Sequence, residues 1–239
     1  MARRSIILHI GTHVTGTTSL QDVLHKSHRE LAIADIAFYP GAINVSNHVE
    51  LHMASMRPDR ASPIKQTLPL TIDDAFRADV TNHVKTFLRL NQSERVIFSA
   101  EGLSYLRYPD EIAFLQNLFE DCDVRVVVYL RERSAFLASY GKKMVQEGHA
   151  LSSDPTHFAF TREGSWLTDY DALINAYAAG FGQDAITIRD YDADQSEFGG
   201  TVASFLHLLD LPPSIRNSLG EPRLKIFAGL RKLRRSQDN

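Results

Sequence analysis

The chain has 239 residues, a mass of 26.9 kDa and a formal net charge of −3. Its 44% hydrophobic and 23% charged residues are those of an ordinary globular protein, long enough for one domain with long loops or a small cap. Thirteen glycines and nine prolines exclude collagen-like and low-complexity chains, the single cysteine excludes an intrachain disulfide framework, and no run reaches the roughly 18 apolar residues of a membrane span.

Taken in chain order, the first residues, Met1 to Arg4 and the apolar run 5–10, imitate a signal peptide. The run is too short and is interrupted by His9, so it reads as a buried first strand in a soluble, cytoplasmic protein. Residues 11–16 form a loop. Over 17–31, Leu20, Val23, Leu24 and Leu31 recur at helical spacing. A short strand is expected at 36–39, stopped by Pro40-Gly41. Residues 40–72 read as irregular, with one short helix near 48–56, and a loop of that length in a compact domain is usually functional or mobile.

Asp73 opens a long helix with Phe76, Val80, Val84, Phe87 and Leu88 on one face. Strands follow at 95–99 and 124–130, the second an almost continuous apolar run that suits a central parallel strand. Cys122, just before that run, reads as buried and inert. Helices are expected at 110–119, 134–147, 166–179 and 200–211, the last stopped by Pro212-Pro213, with a short strand at 185–188. Residues 148–165 read as irregular. Strands alternating with helices predict an α/β fold, a three-layer sandwich around a mostly parallel sheet, as one domain over 1–239.

The charge is uneven. Residues 223–239 hold six bases against one acid, a net +5, so the other 222 residues carry −8. Such a tail suits an acidic surface, or it is the solvated face of a last helix with Leu224, Phe227 and Leu230 inside. The second reading is the simpler one, and no nucleic-acid or membrane partner is expected.

The strongest local signal is Gly11-Thr12-His13-Val14-Thr15-Gly16-Thr17-Thr18, placed between a strand and a helix. Its spacing is P-loop-like: two glycines five apart, then hydroxyl residues. Backbone N–H groups turned inward and the positive end of the next helix both favour a phosphate. The same pattern also fits an ordinary tight strand–helix turn. A nucleotide triphosphatase would carry lysine at position 17 and an aspartate at a strand end to hold magnesium. Here position 17 is Thr17, and the strand ends read Ser99-Ala100-Glu101 and Leu130-Arg131-Glu132.

Residues 9–21 closely resemble the 5′-phosphosulfate loop of P-loop-like sulfotransferases that use 3′-phosphoadenosine 5′-phosphosulfate (PAPS). Residues 126–140, with Arg131 at the strand end and Ser139 on the next helix, resemble that family's 3′-phosphate motif. Residues 96–101 resemble the strand that ends in its catalytic carboxylate, and the resemblance extends over about 5–211. It implies a sulfotransferase fold and sulfuryl transfer to a hydroxyl or amine on a small-molecule or glycan acceptor, with PAPS as co-substrate and no metal. It implies that Gly11, Thr12, His13, Val14, Thr15, Gly16, Thr17, Thr18 and Ser19 hold the 5′-phosphosulfate and that Arg131 and Ser139 hold the 3′-phosphate. By position, Arg133 is a rival for that phosphate, Glu101 is the candidate general base, expected within reach of the acceptor and with a raised pKa, and His48, after Asn47 in the long loop, is an alternative base or acceptor contact.

One position departs from the pattern. The family has a lysine where this chain has Val14, and that lysine neutralises charge on the departing nucleotide. Either His13 or another base substitutes for it, or the chain binds the nucleotide without turnover. Losing one such donor typically costs about 10² to 10³ in rate.

Overall fold

The computed structural model describes residues 3–219. The basic tail beyond 219 lies outside the described residues. Five parallel strands form one sheet in the order β2-β3-β1-β4-β5: β1 (Arg4–His9), β2 (Ile36–Phe38), β3 (Arg95–Ser99), β4 (Cys122–Leu130) and β5 (Ile186–Asp190). The expected mostly parallel sheet is therefore parallel throughout. Its interior strands are buried on both faces, which is why they read as continuous apolar runs rather than alternating ones. Ile6, Leu8, Val96, Phe98, Val126 and Val128 point to one core, and Ile7, Ile97, Val127 and Tyr129 to the other.

Helices cover both faces. On one lie α1 (Thr17–Lys26), α2 (His28–Ile33) and α10 (Thr201–Leu208), contributing Leu20, Leu24, Leu31 and Phe205. On the other lie α3 (Val49–Ser55), α5 (Asp74–Leu90), α6 (Pro109–Leu118), α7 (Arg133–Gln146) and α8 (Tyr170–Phe181), contributing Leu51, Val84, Leu115, Tyr140 and Tyr177. Among the described residues no helix is long and apolar enough to cross a membrane.

Four expectations are corrected. The helix expected over 17–31 breaks at Ser27, whose non-helical backbone caps α1 and lets α2 turn toward β2. The helix expected from 166 begins only at Tyr170, because the Asp169 carboxylate accepts the Ala172 N–H as an N-cap and leaves Trp166–Thr168 as a short 3-10 turn. Two short helices escaped the apolar pattern: α4 (Pro63–Thr67), begun by a Ser62 cap with proline at its first position, and the acidic α9 (Tyr191–Glu197), capped by Asp190. Pro213 stops nothing; residues 213–219 are helical again, with proline at their start. The irregular stretch 148–165 still contributes Phe158 and Ala159 to the core.

Candidate functional site

The loops leaving β1, β3 and β4 meet at the carboxyl edge of the sheet, where open parallel sheets hold their ligands. The loop after β1 is built to stay there. Gly11 O accepts the Tyr129 N–H at 2.6 Å, and the Thr12 N–H and hydroxyl both donate to Tyr129 O at 2.9 and 3.0 Å. The Thr15 hydroxyl donates to Thr12 O at 2.7 Å, and Thr201 of α10 donates to Thr15 O at 2.6 Å. Gly11 and Gly16 have φ of 92° and 79°. A Cβ on Gly11 would meet Glu101 Cα at 3.2 Å, so glycine is needed there for close approach as well as for its backbone.

These bonds sort the loop's hydroxyls. Thr12 and Thr15 are buried, and their hydroxyls are spent on holding the loop. Thr17 is also buried, and its hydroxyl donates to Glu101 Oε2. Thr18 is exposed and Ser19 half-exposed on the first turn of α1. The backbone N–H groups of His13, Val14, Gly16, Thr17, Thr18 and Ser19 have no backbone acceptor among the described residues. No acidic side chain occupies the first turn of α1, so its positive end is left open to an anion.

Glu101 leaves β3 beside this loop and is 7% exposed. Its Oε1 accepts from Lys143 Nζ at 2.9 Å and lies 3.1 Å from His13 Nδ1. Burial pushes the Glu101 carboxyl upward, but His13, the Lys143 ammonium and the Thr17 hydroxyl together hold it well below the usual carboxylate range, the reverse of the raised value expected of a general base. Burial lowers the His13 imidazole, only partly offset by Glu101. That ring stacks on Tyr105 with centroids 4.7 Å apart, and its Nε2 has no hydrogen-bond partner. Lys143 keeps its proton: burial lowers it, and Glu101 and Glu147 more than compensate. No motif singled out Lys143. Its only sequence signal is its position one helical turn after Ser139, on the same face of α7.

A cavity of about 400 Å³ opens in front of this cluster, walled by His13, His52, Glu101, Tyr105 and Lys143, with Val49, Ile64 and Met144 as its apolar side. Gly102 admits His52 to this wall, because a Cβ there would lie 2.3 Å from His52 Nδ1. The segments 40–72 and 148–165 therefore do reach the site, through Val49, His52, Ile64 and His149.

On the other side of the loop, Arg131 Nη1 donates to Ser139 Oγ at 3.1 Å and to Val14 O at 3.2 Å. Tyr191 of α9 lies under its guanidinium, and the buried Nε has no partner. Arg133 is directed elsewhere, donating to Thr168 O at 3.1 Å and lying over Tyr170.

His48 is a correction. It is fully buried between Phe38, Tyr39 and Phe98, and its Nδ1 accepts the Ser99 N–H at 2.9 Å. Burial pushes it down to about 3, and it is absent from the cavity wall. It braces the loop against β3 rather than facing an acceptor. Cys122 is half-buried rather than buried, with its thiol pushed up by burial.

Among solved structures, the crystal structure of a sulfotransferase from Alicyclobacillus acidocaldarius superposes with a TM-score of 0.54 over 92% of this chain and 90% of that one, at 16% identity. The fold is sulfotransferase-like. No protein-family model matches the chain, and no curated protein matches it in sequence. In this sulfotransferase-like fold, the loop after β1, the Glu101–Lys143 pair and the Arg131–Ser139 pair share one edge of the sheet.

Proposed function

We propose that the protein transfers a sulfuryl group from PAPS to a hydroxyl or amine of a small acceptor. The observation behind this reading is the three-part arrangement at the sheet edge: an open row of loop N–H groups, a buried carboxylate beside it, and an arginine–serine pair across from it. The residues fit the nucleotide. The loop N–H groups with Thr18 and Ser19 receive the 5′-phosphosulfate, and Arg131 with Ser139 receives the 3′-phosphate. The unpartnered Arg131 Nε–H is a donor that an anionic ligand satisfies. The cavity in front of Glu101 takes the acceptor, and its size and apolar side favour a compact molecule over a long glycan.

Sulfuryl transfer asks the protein chiefly for positioning and for charge stabilisation. Glu101 borders the acceptor cavity in its ionised form and is the carboxylate placed to take the acceptor's proton; the neighbours that depress it make it a weaker base than an ordinary carboxylate. A thermal-shift series with adenosine 3′,5′-bisphosphate, against ATP with magnesium, tests the reading. At a hundredfold excess over its Kd the bisphosphate adds about 2.7 kcal/mol of stability, with no magnesium requirement. Stabilisation by ATP and magnesium alone would reject sulfuryl transfer and favour a kinase.

A further inference from the structure

Breaking the bond between sulfur and a phosphate oxygen leaves negative charge on that oxygen, and a fixed cation there speeds the step. The loop at residues 11–16 contains no lysine or arginine. Its backbone donors are dipoles, and the other bases nearby are turned toward the arginine–serine side or lowered by burial. Arg131 is bound to Val14 O and Ser139 on the far side. Burial lowers His13 and pushes His52 down to about 3.

Lys143 is differently placed. It reaches from α7 to Glu101 Oε1, while Oε2 of the same carboxylate receives the hydroxyl of Thr17, the first residue of α1. Ammonium, carboxylate and the first residue of α1 are thus one connected group, and Lys143 lines the cavity beside His13 and Glu101. A buried carboxylate beside a phosphate site repels the ligand unless a cation accompanies it, and Lys143 is that cation.

We propose that Lys143 is the catalytic cation of this site, donating to the nucleotide oxygen that departs from sulfur and so supplying the charge that Val14 cannot. The inference rests on the sulfuryl-transfer reading above. In the step, a lone pair of the acceptor oxygen or nitrogen forms the new bond to sulfur. The bond from sulfur to the 5′-phosphate oxygen breaks, with its electron pair left on that oxygen. The acceptor's proton passes to Glu101. Protonation cancels the nearer of the two charges that hold the Lys143 ammonium, leaving only Glu147 at 3.8 Å, and the ammonium then sides with the departing oxygen as it becomes negative. One lysine thereby keeps Glu101 ionised before the step and neutralises the leaving group during it.

A lysine that merely balances Glu101 would give the same structure, and a double-mutant cycle separates the two roles. Adenosine 3′,5′-bisphosphate carries the departing oxygen, whereas adenosine 3′-monophosphate lacks it. Calorimetric titration of both is made on the wild type, Lys143→Met, Glu101→Gln and the double variant, with melting curves to verify folding. The bisphosphate should bind about 10- to 100-fold more weakly to the double variant than to Glu101→Gln, while the monophosphate is unchanged. Val14→Lys added to the double variant should restore the bisphosphate's affinity. Equal bisphosphate binding by Glu101→Gln and the double variant would confine Lys143 to neutralising Glu101 and overturn the proposal, leaving the sulfuryl-transfer reading intact. Parallel weakening of both nucleotides would make Lys143 structural and overturn it equally. A wild type that binds neither nucleotide would remove the sulfuryl-transfer reading itself, and this inference with it. The double variant leaves no lone charge buried, so it decides the matter even where Lys143→Met alone fails to fold.

Discussion

At the scale of single residues, Arg131 has two neighbours that pull its role in different directions. Its bond to Val14 O makes it a brace for the loop, and its bond to Ser139 presents a paired donor site. The two roles separate in Arg131→Ala. If the guanidinium holds the 3′-phosphate, the variant loses about 1.5 to 3 kcal/mol of binding to adenosine 3′,5′-bisphosphate and nothing to adenosine 5′-monophosphate. Titration of both ligands reads the difference, and equal losses would leave only the brace. Val14 itself adopts φ of 56°, a left-handed backbone that a β-branched residue rarely takes. The loop therefore holds this geometry through its hydrogen bonds to β4 and α10 rather than through the preference of its central residue.

At the scale of elements, the site is assembled from ends: the start of α1, the ends of β1, β3 and β4, and one face of α7. Elements away from that edge carry stability alone. Helix α5 is such an element, 17 residues long and begun by the Asp73 carboxylate, which accepts the Phe76 N–H at 2.9 Å. Asp73→Ala should cost about 1 kcal/mol, the usual worth of an N-cap, and lower Tm by about 2–4 °C. Binding of adenosine 3′,5′-bisphosphate should be unchanged at a temperature well below Tm. A change in nucleotide affinity without a change in Tm would mean that α5 is coupled to the site.

At the scale of the whole molecule, burial of neutral histidines ties stability to pH. Burial is the main cause in each case, and it lowers His9 to about 4 and His48 and His52 to about 3. The ordinary value is 6.5. As pH falls below that value, the unfolded chain binds protons that the folded chain refuses, so stability falls with pH. Each histidine contributes a slope of up to about 1.4 kcal/mol per pH unit until its folded value is reached. Glu101 works in the same direction lower down, because its depressed carboxyl lends stability that is lost as pH drops below the ordinary carboxylate value of 4.5. Urea unfolding midpoints should therefore decline steeply between about pH 6.5 and about pH 4. A flat profile over that range would mean that these histidines are hydrated or paired with acids in the folded state.

The alternation of apolar strands and amphipathic helices, the glycines of the first loop and the cap at Asp73 are all determined within short stretches of chain, and all were legible in the sequence. Local chemistry decides them: backbone freedom, side-chain period and the reach of a carboxylate to the N–H three residues on. The start of α8 and the helices α4 and α9 were less legible, because caps rather than apolar spacing set them. Tertiary structure alone decided the remainder. It removed His48 from the acceptor side, since a core seat depends on Phe38, Tyr39 and Phe98 arriving from two strands. It turned the hydroxyls of Thr12 and Thr15 inward. It also joined Lys143 to Glu101 across 42 residues of sequence. A charge pair of that kind has no spacing rule, because each partner's position is set by a different element packed on the sheet, and only the packed sheet brings the two to one edge.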